Sequence, residues 1–220
     1  MIKNNDFIEI EYTGKFTDGK EIFDTTKEDV AKANGLFNPE SKIEFKPMTI
    51  CVGQGQVIKG LDSALVGKKV NDEFTVEVTA DQGFGKKDSK LIQLISTNEF
   101  KKQNIRPMVG LSVNVDNSMG IIRSVSGGRV IVDFNHPFAS KDLTYEVKIL
   151  RKIEDKVKQI EMTTKSLFNL DSEVKIIENK AEIKFKLPEN IPKESFNEEI
   201  KKVISEKIKE IVGIEAKITL

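Results

Sequence analysis

Short alternating runs dominate the first 85 residues. In FIEIEYTG, Phe7, Glu9 and Glu11 alternate with Ile8, Ile10 and Tyr12, a period of two that predicts a half-buried strand. FTDGKEIFD places Asp18-Gly19 as a turn between that strand and a second. MTICV (48–52) predicts a short apolar strand, and DEFTVEVTA (72–80) another, with Phe74, Val76 and Val78 on one face. Between them, GQGQVIKGLDSALVG (53–67) sets Val57, Ile58, Leu61, Ala64 and Leu65 between glycines and predicts a short helix. The polar stretch 27–46 lacks alternation and is expected to be a surface insertion with a helical turn at 28–33.

From residue 86 the pattern changes. After the loop GKKDSKLI, the runs GLSVNVDN, GIIRSVSG and GRVIVDFNHPF predict strands separated by turns, Gly127-Gly128 among them. This stretch reads as a compact all-β module. LTYEVKIL (143–150) is one more alternating strand, closer in pattern to the first segment.

Beyond residue 154 helical spacing appears. DKVKQIEMTTKSLFNL predicts a helix on Val157, Ile160, Leu167 and Leu170, and SEVKIIE with KAEIKFKL predicts a hairpin about Glu178-Asn179. ESFNEEIKKVISEKIKEIVG gives the clearest helix, with an apolar set of Phe196, Ile200, Val203, Ile204, Ile208, Ile211 and Val212. Ser195 and Glu198 have capping-box spacing, and Gly213 suits its end. IEAKITL closes the chain as a strand. The fold class expected is α+β.

Composition narrows the function. The chain has 220 residues and is 38% hydrophobic, with 35 basic and 35 acidic residues. That balance excludes a general nucleic-acid binder, which needs excess cation to neutralise phosphates. One cysteine, Cys51, excludes an intramolecular disulfide and is expected to be packing. With the single histidine, His136, it cannot make a Cys/His zinc cluster, so no metal is expected. His136, near Asp133 and before Pro137, reads as a structural or turn histidine. No apolar run nears about 18 residues, so no membrane span is expected. The N-terminal MIKNNDFIEI lacks the apolar stretch of a signal peptide, and a cytoplasmic protein is expected. The last helix mixes Glu and Lys on its polar face, unlike a cationic membrane helix.

Several spaced motifs occur in one order: EYTGKFTDGKEIFDTT, VGQGQVIKGLDSALVGKK, TADQGFG and LTYEVKIL. Together they resemble the FKBP family of peptidyl-prolyl cis–trans isomerases, over roughly 1–85 plus 143–150. GIIRSVSGGRVIVDFNHPFASKDL, between the third motif and the fourth, is similar to the insert-in-flap module of the SlyD-like archaeal and bacterial branch. The resemblance implies an antiparallel sheet wrapping a short helix, formed by 1–86 with 143–154. It implies an inserted chaperone domain at 87–142, leaving 155–220 as an extra α+β domain.

It also implies a site. Tyr12, Asp24, Ile58, Phe84 and Tyr145 stand at the family's catalytic positions, and Phe23, Met48, Val57 and Leu61 at its substrate-binding positions. Phe84 replaces a frequent tyrosine and Leu61 a frequent tryptophan, which lowers the expected activity. Met108, Leu111, Met119, Ile122 and Phe138 are expected to bind clients on the insert. The implied partners are unfolded or proline-containing polypeptides, with no cofactor. The alternative is a holdase chaperone whose isomerase activity is vestigial. An edge strand at IEAKITL invites pairing with another chain, so a homodimer through 155–220 is expected.

These residue types suit the reaction. Rotation about an amide C–N bond meets a barrier of about 18–20 kcal/mol, because resonance is lost in the twisted form. Proline narrows the cis–trans gap, yet exchange still takes roughly tens to hundreds of seconds. No bond is made or cut, so neither nucleophile nor metal is needed. A dry apolar cavity favours the twisted amide, which has less charge separation than the planar one, and a fixed dipole steadies its carbonyl.

Overall fold

The computed structural model describes residues 1–41, 43–186 and 196–219. The first unit is an antiparallel sheet built on β1 (Phe7–Phe16). One edge of β1 pairs first with β3 (Met48–Cys51) and then with β2 (Ile22–Thr25). Its other edge pairs along its length with β9 (Leu143–Lys152), and β4 (Glu73–Val78) lies beyond. Between β2 and β3 lies α1 (Glu28–Ala33), at the expected helical turn. Between β3 and β4 lies α2 (Lys59–Leu65).

The period-two pattern of β1 sends Ile8 and Ile10 to one face, where they meet Ile50, Leu61, Leu65 and Val147 in a sealed core. Gly60 lets α2 lie close to β4: a Cβ there would stand 2.6 Å from Val78 Cγ1.

The chain leaves this unit after β4 and returns at β9. In between, β5 (Ile92–Ser96), α3 (Thr97–Lys102), β6 (Ser112–Val115), β7 (Ser118–Ser126) and β8 (Arg129–Asp133) form a second sheet, ordered β5-β8-β7-β6. Its core is small: Phe100 of α3 packs on Val113, Ile122, Val130 and Val132. β5 and α3 were not foreseen. Ser96 caps α3 by accepting a hydrogen bond from the Asn98 N–H.

The remainder is α4 (Lys156–Phe168), β10 (Asp171–Ile177), β11 (Lys180–Lys186), α5 (Glu198–Val212) and β12 (Glu215–Thr219). β10 and β11 form the expected hairpin, with Glu178 and Asn179 both at positive φ. β12 runs parallel to β11, with α5 as the crossover, and takes the sheet edge. Asn197 caps α5 by accepting from the Ile200 N–H at 3.0 Å. The expected cap, Ser195, lies outside the described residues. Ile200 and Val203, expected on the buried face, are 41% and 55% exposed. They lie away from the stripe of Ile204, Ile208 and Ile211 that meets the sheet.

This third unit shares a core with the first. Phe7 and Cys51 face each other across β1 and β3 and point away from α2. They join Ile153, Ile160, Ile204 and Ile208 in one apolar cluster. Gln159 Nε2 donates to the Ile153 carbonyl at 2.6 Å, and Asn5 Nδ2 donates to the Glu210 carbonyl at 3.4 Å.

Candidate functional site

A cavity of about 400 Å³ opens where β1, β2, β3, β9 and the start of α2 converge. Tyr12 comes from β1, Asp24 from β2, Met48 from β3 and Tyr145 from β9. Val57 and Ile58 come from the loop into α2, Leu61 from α2 and Phe84 from the loop after β4. All eight line the cavity, together with Gly55 and Gln56, which sequence reasoning missed. Phe23 stands behind this wall, its ring edge-on to Tyr145 at 5.9 Å and tilted against Phe16 at 4.9 Å. Gly14 permits that closure, since a Cβ there would meet both Phe23 and Tyr145 at 2.9 Å.

Two phenols and one carboxylate are the ionisable groups at the cavity. Tyr12 Oη donates to Asp24 Oδ2 at 2.8 Å. Burial first, then the hydrogen bond and charge of Asp24, push the Tyr12 phenol above its ordinary range. Burial first, then the charge of Asp24, push Tyr145 the same way. Both hydroxyls therefore stay protonated as donors at neutral pH. Tyr145 Oη has no hydrogen-bond partner among the described residues. The Ile58 N–H, just before the first turn of α2, likewise has none.

The loop that aims Val57 and Ile58 is pinned from below. Asp62, on α2 and buried, accepts from the Gly53 N–H at 2.8 Å and the Gly55 N–H at 3.2 Å. Gln56 Oε1 accepts from the Cys51 N–H at 2.7 Å. The sequence signal for Asp62 was its place in the first helical turn, four residues after Ile58.

The five residues expected on a client-binding face separate. Met108 and Met119 are 57% and 62% exposed. Leu111 is half-buried against the insert's core. Ile122 is fully buried there, because the alternation of β7 turns Gly120 and Ile122 to the inner face, toward Val130 and Val132. Phe138 leaves the insert altogether: its ring lies 4.9 Å from Phe23, 5.1 Å from Phe16 and 5.3 Å from Phe84. The cavity thus brings apolar and aromatic side chains together with the Tyr12 and Tyr145 hydroxyls, the Ile58 N–H and the Asp24 carboxylate.

Comparison with known proteins identifies the family. Residues 1–101 match the model of the FKBP-type peptidyl-prolyl cis-trans isomerase, and residues 93–138 match the FKBP26, IF domain. The short-type peptidyl-prolyl cis-trans isomerase of Methanocaldococcus jannaschii is 34% identical over 149 residues, which is 68% of this chain and 92% of that one. The FKBP-type 16 kDa peptidyl-prolyl cis-trans isomerase of Escherichia coli K12 is 30% identical over 154 residues, again 68% and 92%. The SlyD isomerase of Yersinia pestis is 32% identical over 125 residues, 55% of this chain and 63% of that one. The chain belongs to the FKBP-type peptidyl-prolyl cis–trans isomerase family, in its SlyD-like archaeal and bacterial form. It is an isomerase of proline peptide bonds.

Proposed function

We propose that the cavity lined by Tyr12, Asp24, Ile58, Phe84 and Tyr145 is the isomerase site, with Phe23, Met48, Val57 and Leu61 shaping the hollow that grips the proline ring. The observation that carries this is the convergence of residues from six separate segments on one apolar cavity. The apolar lining favours the twisted amide, which water solvates less well than the planar one. The unpaired Ile58 N–H donates to a substrate carbonyl. Asp24 holds the Tyr12 phenol in place through their hydrogen bond. The unpartnered Tyr145 hydroxyl supplies the donor that Phe84, lacking a hydroxyl, does not.

The insert acts as a folding helper that holds unfolded clients beside this site. Exposed Met108, Met119, Leu94 and Ile131 favour that role, the last two facing each other across β5 and β8. Methionine adapts to varied apolar partners. The third unit pairs two chains through the β12 edge, giving avidity for one long client. One unpaired cysteine suits a reducing compartment, and on that ground we read the protein as cytoplasmic.

The test is a protease-free peptide isomerisation assay beside proline-limited refolding of a protein. The full chain accelerates both, and removal of 87–142 slows the refolding assay far more than the peptide assay. Asp24→Ala and Tyr12→Phe lower peptide activity, and Phe84→Tyr raises it. A wild type that fails to accelerate peptide isomerisation at micromolar concentration overturns the assignment.

A further inference from the structure

The chain's one histidine lies against the cavity wall. His136 sits on the connection that leaves the insert for β9, whereas Phe84 sits on the connection that enters it. Their rings are parallel, with centroids 4.3 Å apart and planes within 2°. Phe138 meets both edge-on, 5.4 Å from His136 and 5.3 Å from Phe84. The Phe138 N–H donates to His136 Nδ1 at 3.1 Å. That bond places the ring proton on Nε2 and fixes the plane of the imidazole. One face of Phe84 is thus covered, while the ring still lines the cavity.

We propose that His136 is a positioning residue of the isomerase site, clamping the Phe84 ring in the plane that bounds the cavity. The proposal rests on the cavity being the proline site. A tyrosine at position 84 could be pinned through its hydroxyl; a phenylalanine can be held by ring contacts alone. Left free on a loop, such a ring must be ordered when substrate arrives, and that ordering weakens binding. The stacked imidazole orders it beforehand. It also joins the two connections of the insert at the lip of the cavity, so the seating of the insert is felt by the pocket.

The test is kinetics and NMR on the full chain, with ¹³C-labelled phenylalanine rings and Phe84 assigned through Phe84→Leu. His136→Ala is expected to raise KM for a short proline peptide about three- to tenfold, with kcat little changed. It shifts the Phe84 ring signals downfield as the imidazole ring current disappears. His136→Phe, which keeps a ring to stack, restores KM. His136 is exposed, so neither variant is expected to alter the melting temperature. An active wild type with unchanged KM in His136→Ala overturns the clamp, as do unshifted Phe84 signals. A wild type inactive on the peptide instead overturns the proline-site assignment, and the Phe84 shift, which needs no turnover, still decides the stacking.

Discussion

Deleting residues 155–220 is expected to turn Cys51 from an inert thiol into a reactive one. In the full chain Cys51 is 3% exposed, beneath the apolar stripe of α5. Burial first, then the charges of Asp62 and Asp6, push its thiol up to about 12. At pH 8 such a thiol is roughly 10⁻⁴ ionised, against about 10⁻¹ near the ordinary value, and the thiolate is the form that reacts. Removing the third unit takes away much of the burial, while Asp62 and Asp6 remain. The labelling rate with an aromatic disulfide reagent is therefore expected to rise about 10²- to 10³-fold. The short-type relative is matched over 92% of its length by 68% of this chain, so it is shorter than this chain by about the length of the third unit. A chain ending at 154 is accordingly expected to fold. One cysteine gives one kinetic phase, and the guanidinium-unfolded chain sets the upper limit. Equal rates in the full and shortened chains would falsify the shared core of Phe7, Cys51, Ile204 and Ile208.

Gly60→Ala drives a methyl against Val78 and is expected to cost about 1–3 kcal/mol in denaturant melts, with loss of peptide isomerisation as α2 shifts. Asp133 is buried and bonded to Lys87, Arg123 and Asn135. Burial opposes its charge, but Lys87 and Asn135 outweigh it and hold the carboxyl well below the usual range. Its stabilisation is therefore complete above about pH 4 and fades as pH falls further toward the folded value. Asp133→Asn is expected to cost about 1–2 kcal/mol at pH 7, with Lys87 and Arg123 partly screened by solvent, and the gap from wild type to narrow in acid; a pH-independent gap refutes the charge assignment. Ile122→Ala is expected to cost about 2–4 kcal/mol, whereas Met119→Ser leaves melting unchanged and weakens suppression of client aggregation.

Strands with strict alternation were legible, because a period of two maps directly onto two faces. The cavity residues were legible as an ordered set of motifs, although each alone reads as core or turn. What failed to show was whatever depends on a partner far along the chain. Ile121 and Ile122 are adjacent and equally apolar, and only which face of β7 packs on Val130 and Val132 decides which is sealed. Ile200 and Val203 have helical spacing, yet the apolar stripe of α5 is wider than the sheet it meets. β5 is exposed over most of its length and gives no alternating signal. His136 lies 52 residues from Phe84 in sequence, and its stacking on Phe84 exists only once the entry and exit connections of the insert run side by side.

The pairing of β1 with β9 governs the order in which the molecule can be assembled on the ribosome. Phe16 meets Leu143 and Tyr12 meets Val147, so the first strand synthesised must wait for most of the chain before its second edge is occupied. The insert, whose strands all lie between those partners, can fold earlier. The pulse-labelled amides of Val113 and Val132 should thus become protected before that of Val147. A nascent chain would finish its insert first and close the cavity last.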